Sequence, residues 1–143
     1  MSVEQNKATV RRLIEEVINK GNIDLFDELV ASDLVDHALP PGFPPGAQGT
    51  KQFFRLLRAA FPDLRYTIEN AVGEGDYVTQ RLTAQGTMKG ELMGMPPSGK
   101  HAVWSSMDVA RLKGGKVVEY WGIEDQLSML QQLGVAPTSG QSH

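Results

Sequence analysis

The sequence predicts an α+β fold: N-terminal helices packed on one face of a long curved antiparallel sheet, an arrangement that can leave a cone-shaped cavity between them. Three observations carry this. Apolar residues recur every three or four positions through the first third of the chain, the period of one helix face. From residue 66 onward the period falls to two, the mark of half-buried strands. Between these regimes lies LPPGFPPGAQG (39–49), whose prolines and glycines disrupt both kinds of backbone hydrogen bonding.

The first helix is expected over 3–20, with Val10, Ile14, Val17 and Ile18 on one face and Gly21 as its stop. A short second helix over 23–30 presents Ile23, Phe26, Leu29 and Val30. Residues 32–38 read as a turn and a short extended piece. Thr50 is the expected cap of a helix over 51–61, where Phe53, Phe54, Leu57 and Phe61 form the apolar face and Pro62 ends the run. Tyr66, Ile68, Asn70 and Val72 then alternate with Thr67, Glu69 and Ala71. GEGD (73–76) turns the chain into a long strand over 77–88. KGELMGMPPSG (89–99) is a loop, 100–112 a second long strand, and Lys113-Gly114-Gly115 a hairpin turn into 116–123. A closing helix over 125–133 ends at Gly134.

With 143 residues the chain has the size of one domain, read as residues 1–135. The tail APTSGQSH (136–143) holds too little apolar surface to order itself and is expected to be flexible. Hydrophobic residues make up 41% and charged residues 22%, which excludes wholesale disorder, collagen and coiled coil. A net charge of −3 gives no general drive toward nucleic acid or anionic membrane. No apolar run approaches the roughly 18 residues that span a bilayer, and the N-terminus lacks a signal-peptide core. Cysteine is absent, so disulfides, thiolate metal sites and cysteine nucleophiles are excluded. The expectation is a cytoplasmic protein.

Motifs for common chemistries are missing. His37, His101 and His143 lie far apart in sequence and form no metal-binding spacing, so no metal is expected. No dinucleotide fingerprint, P-loop or nucleophile elbow is present. What remains is polar side chains on the long strands. Alternation puts Ala102, Trp104, Ser106, Asp108 and Ala110 on one strand face, and Val118, Tyr120 and Gly122 on one face of the next. If the Asp108 face lines a cavity, burial raises the carboxyl pKa and makes it a base for an acidic C–H; if it meets solvent, Asp108 is an ordinary surface carboxylate. Tyr120 is either a group that orients a carbonyl or a core tyrosine. His37 is a pocket histidine or a structural one. Asp125 is a substrate contact or a helix cap. Arg81 meets an anion or forms a cross-strand pair, and Met93, beside Met88 and Met95, lines a cavity mouth or fills a gap. Phe54 belongs to the apolar face over the cavity.

The segments LVDHALPPG, FFRLLRAAFPDLRYTIENAVGEGDYV, RLTAQGTMKGELMGMPPSGK and GGKVVEYWGIEDQLSMLQQLG resemble the SnoaL-like polyketide cyclases, or ester cyclases. The resemblance covers about residues 10–134. It implies the α+β barrel of the nuclear transport factor 2 superfamily, homo-oligomers built through the sheet, and a hydrophobic or aromatic small-molecule substrate. It also implies cofactor-independent ring closure by intramolecular aldol condensation, begun by an aspartate that takes a proton beside an ester carbonyl. The position of that aspartate falls on Gly122, which has no side chain; the position of an assisting family histidine falls on Asp108. Asp108 is therefore the expected base, with Tyr120 and His37 as polar partners and Trp104, Ser106, Arg81, Met93, Phe54 and Asp125 as substrate contacts. Two other readings stay open. One is a non-catalytic binding protein using the same cavity. The other is an epoxide hydrolase-like enzyme, which needs two aspartates about an arginine: Asp108, Arg81 and Asp125 supply the residue types.

Overall fold

The computed structural model describes residues 2–135; the tail 136–143, including His143, lies outside the described residues. Helix α1 (Val3–Arg12) starts at a reciprocal cap. The Ser2 hydroxyl accepts from the Gln5 N–H, and the Gln5 side chain accepts from the Ser2 N–H. The chain does not continue as one α-helix to residue 20. Leu13–Ile18 widens into a π-helical turn, closed by the Asn19 N–H on the Ile14 carbonyl at 2.9 Å. The wider turn lets Leu13, Ile14, Val17 and Ile18 all face inward. A 3-10 turn (Ile23–Leu25) and the short α2 (Phe26–Leu29) lead into strand β1 (Val30–Asp36).

Helix α3 spans Ala47–Ala60, starting three residues before the expected cap. Gly46, with φ 80, turns the chain into it. Gly49 lets it pass beneath the proline loop, because a Cβ there would sit 1.9 Å from the Pro44 carbonyl oxygen. Thr50 therefore lies inside the helix, where its hydroxyl serves Asp36 instead of capping. The meander follows: β2 (Arg65–Glu74), β3 (Tyr77–Thr87), β4 (His101–Lys113), β5 (Lys116–Glu124) and the closing α4 (Gln126–Leu133). Asp125 caps α4 and Gly134, with φ 75, ends it.

The sheet order is β1-β5-β4-β3-β2. The meander is antiparallel as expected, but β1 runs parallel to β5, so the sheet is mixed and open. The long connection through α3 and the meander permits that parallel pairing. Alternation holds along β4, where Ala102, Trp104, Ser106, Asp108, Ala110 and Leu112 all point inward. Register shifts break it elsewhere, one of them in β1 between Val30 and Val35. In β2 the register slips between Ile68 and Asn70, which turns Val72 outward and sets Ala71 opposite Gln80. At the β4–β5 hairpin it slips between Arg111 and Leu112, so Val117, rather than Val118, is the fully buried residue.

The inner face carries two apolar clusters. One gathers Leu82, Ala84, Trp104, Phe61 and Met88 with α4. The other gathers Val78, Ala110, Leu112 and Val117 with α1, the π turn and β1. A polar row crosses the sheet between them: Gln80 on β3 pairs with Asp108 on β4, which pairs with Gly122 on β5. Among the described residues no helix is long and apolar enough to cross a membrane.

Candidate functional site

Asp108 is 3% exposed and lies in the middle of β4, at the centre of that row. The wall above it is apolar: Ile14 and Ile18 from the π turn, Leu34 from β1 and Phe54 from α3. A cavity of about 110 Å³ opens beside the carboxylate, and a second void of about 20 Å³ lies toward Val10, Phe26 and Val117. Both voids touch Asp36, Phe54, Asp108 and Tyr120. The cavity mouth is formed by Ala38, Pro40, Phe53 and Gln126. The burial of Asp108, which the sequence left open, is thus settled by its row.

Tyr120 donates its phenol proton to Asp108 Oδ2 at 2.9 Å. Gly122 makes this contact possible. A Cβ at 122 would lie 3.1 Å from Tyr120 Cε2 and 3.2 Å from its Oη. The ring therefore leans along β5 over the glycine to reach the neighbouring strand. Burial pushes the Asp108 carboxyl up to about 7; the Tyr120 hydrogen bond opposes this and the charge of Glu124 adds to it. Tyr120 itself is held well above the ordinary phenol value, by burial first and then by Asp108. A carboxyl so buried and so partnered has the strength to exchange a proton near neutrality.

Three groups at the site escaped the sequence reading. Glu124 follows Tyr120 and Gly122 at the same two-residue step and faces inward, one row along from Asp108. It accepts from the Tyr66 phenol and from Trp104 Nε1, the latter at 3.0 Å. Tyr66, on β2, closes the far side of the cavity, and burial leads the causes that raise its phenol well above its ordinary value. Asp36 ends β1 and lines both voids. Its carboxylate accepts from the Thr50 hydroxyl at 2.8 Å and from the Ala38 N–H at 2.9 Å. For Asp36 period two was the available signal, since Asp36 and His37 must point to opposite faces.

Ser106, Trp104 and Phe54 lie at the site, Ser106 and Phe54 on the cavity wall and Trp104 behind Glu124. Four expected residues do not. His37 lies on the outer face, stacked on Trp121 with ring centroids 5.0 Å apart, its Nε2 2.7 Å from Glu119. Strand alternation at the end of β1 sends Asp36 in and His37 out. That contact, ahead of Arg111, holds the Glu119 carboxyl below its ordinary range. Arg81 is exposed on the outer face, because alternation along β3 turns Gln80 inward. Asp125 caps α4, accepting from the Ser128 N–H at 3.1 Å. Met93 is exposed in the loop after β3, where it lines an outer groove of about 700 Å³ with Pro41, Phe43 and Leu56. That groove shares Pro40, Phe53 and Leu57 with the cavity. The aspartate–arginine–aspartate set of an epoxide hydrolase therefore does not assemble from Asp108, Arg81 and Asp125. Among the described residues no three His, Cys, Asp or Glu side chains gather as a metal site.

Comparison with known proteins agrees with this architecture. The family model for SnoaL-like polyketide cyclases matches residues 8–133. The nogalonic acid methyl ester cyclase of Streptomyces nogalater is 29% identical over 118 residues, 81% of this chain and 88% of that protein. IdmH of Streptomyces antibioticus, a proposed polyketide cyclase, superposes with a TM-score of 0.80 at 35% identity, covering 92% of this chain and 99% of its own. TsrD of Streptomyces laurentii shares the fold at 22% identity, with a TM-score of 0.87 and coverage of 95% and 99%. The chain belongs to the SnoaL-like polyketide cyclase family.

Proposed function

We propose that this SnoaL-like cyclase closes a ring by intramolecular aldol addition, with Asp108 as the base. The observation that carries the reading is a carboxylate buried under an apolar wall and held by a phenol, a setting that pushes it up to about 7. Ionised Asp108 takes a proton from a carbon flanked by an ester and a ketone carbonyl. The electron pair delocalises into an enolate, whose oxygen lies within reach of the Ser106 hydroxyl. The enolate carbon then bonds to a second carbonyl carbon of the same chain. The new alkoxide takes the proton back from Asp108, which restores the base. Substrate and product are isomers, so atoms and electrons balance without an added reagent. A base near 7 suits a doubly activated carbon, because proton transfer is most effective when catalytic strength matches working pH.

Tyr120 acts by holding the carboxylate in place and partly offsetting its burial. Glu124, anchored by Tyr66 and Trp104, keeps a second negative charge one row away, which favours the protonated form of Asp108 and so strengthens it as a base. The cavity is smaller than the roughly 300–1,000 Å³ of typical small-molecule sites. The reacting end therefore enters the chamber while the apolar body of the substrate lies along the groove beside Leu56 and Met93.

Met107, at 52% exposed, and Ile123, at 79%, mark an uncovered apolar outer face on β4 and β5. An apolar sheet face of this kind supports a homodimer through the sheet. The cysteine-free sequence suits a reducing cytoplasm, and residues 1–135 act as one domain.

The direct test is deuterium uptake and ring closure with keto-ester polyketide mimics in heavy water, followed by mass spectrometry and NMR. Wild type should exchange the activated C–H and Asp108→Asn should not. Exchange by both removes Asp108 from the mechanism. Binding with no exchange by either makes this a carrier.

A further inference from the structure

The mechanism leaves unused a buried polar side chain that adjoins its base. Gln80 is 1% exposed, sits between Val78 and Leu82 on the inner face of β3, and pairs directly with Asp108. Neither its Nε2 nor its Oε1 meets a protein partner, and neither does Oδ1 of Asp108. Burying a carboxamide between two apolar neighbours is costly, and a leucine or methionine would pack there without that cost. Directly opposed residues in an antiparallel pair have Cβ atoms roughly 4.5–5.5 Å apart. A change in the Gln80 side-chain torsions is enough to bring its carboxamide to Oδ1.

We propose that Gln80 is the positioning residue of Asp108, its carboxamide serving the oxygen that Tyr120 does not hold. The inference rests on the reading of Asp108 as a base and explains how one oxygen is served in both states. When Asp108 is ionised, the Gln80 N–H donates to Oδ1. When Asp108 carries the substrate proton on Oδ1, that O–H donates to Gln80 Oε1. An amide offers a donor and an acceptor without a charge, which neither lysine nor glutamate does. The other groups facing Asp108 are Tyr120 and Glu124 from β5, Tyr66 from β2 and Asp36 from β1. From α1, which packs over β2 and β3, comes the uncharged Asn6, whose Oδ1 is also unpartnered.

The test is an NMR titration of the protein labelled at the aspartate carboxyl carbon, with the Asp108 signal identified by its loss in Asp108→Asn. Gln80→Met should raise the Asp108 midpoint by about one pH unit or more, because the charge-assisted hydrogen bond lost from the ionised form outweighs the neutral one lost from the acid. In wild type, the side-chain amide protons of Gln80 should shift through that same midpoint, and that dependence should vanish in Asp108→Asn. A Gln80→Met midpoint equal to wild type overturns the proposal, as do Gln80 amide signals indifferent to pH. Should Gln80→Met not fold, the wild-type amide titration decides alone. Both readouts are independent of turnover. If Asp108→Asn retained proton exchange, the base assignment would fall while the titrations still judged the Gln80 contact.

Discussion

Replacing Asp108 by asparagine should remove activity and stabilise the protein. The carboxyl is raised from 3.8 to about 7 in the folded state. Below about pH 4 the folded and unfolded chains both hold this proton, and the group does not affect stability. As pH climbs, the unfolded chain releases the proton first, so stability falls. The loss is complete once pH passes the folded value. At roughly 1.4 kcal/mol per pH unit, the full cost is about 4 kcal/mol. Asparagine keeps an acceptor for the Tyr120 phenol and has nothing to ionise. The variant should therefore match wild type near pH 4 and exceed it by up to about 4 kcal/mol above neutrality. In a chain of this size that is a rise in Tm of roughly 10–15 °C. The assay is thermal unfolding of both proteins across pH 4–9, about the range set by the two pKa values. The difference between the curves isolates Asp108 from every other titrating group except those coupled to it, chiefly Glu124. Parallel curves would refute the claim that Asp108 bears a burial cost, and with it the physical basis for its strength as a base.

Tyr120→Phe removes a hydrogen bond that favours the ionised form, so the rising limb of the pH–rate profile should move up by about one to two pH units. Gly122→Ala puts a methyl against the Tyr120 ring; it should displace the phenol and produce the same upward movement, read in the same profile. Glu124→Gln removes a neighbouring negative charge and should shift the Asp108 midpoint down, in a carboxyl-carbon NMR titration. Ile123→Arg on the outer sheet face should abolish the proposed homodimer, read as a halved mass by light scattering, with the carboxyl titration unchanged.

The order of elements and the inner face of β4 were legible because period-two alternation is a local property. The parallel pairing of β1 was not legible, since it depends on where a strand lands after a long connection. The bulges in β2 and β5 were not legible either. One extra residue moves Val72 outward and exchanges Val118 for Val117, yet leaves no compositional mark. At the site, Asp108 and Tyr120 were readable as polar interruptions of apolar strands. His37 and Arg81 attracted notice as chemically versatile residues, but each sits one step out of phase with an inward neighbour, Asp36 and Gln80. Phase along the strand was a better guide to function there than residue type. Tyr66 and Glu124 needed the third dimension, because their contact spans 58 positions and four strands of the sheet.

Register also resolves the conflict raised by Gly122. The resemblance sets the family's aspartate at 122, where this chain has no side chain. Positions 122 and 108 are directly paired across β5 and β4. A carboxylate moved from one to the other shifts by about one strand spacing, 4.8 Å, and stays in the same row under the same apolar wall. The exchange carries its own constraint. With Asp108 as the proposed base on β4, a side chain at 122 would crowd the Tyr120 ring, 3.1 Å from a Cβ there, and strain the phenol's contact with the carboxylate. Glycine at 122 and aspartate at 108 are thus two parts of one arrangement. Restoring aspartate at 122 alone would set two carboxylates side by side in a buried row and displace the phenol that tempers the first. Their mutual repulsion would drive one of them to remain protonated. Gly122→Asp should therefore lose activity even though it recreates the family residue.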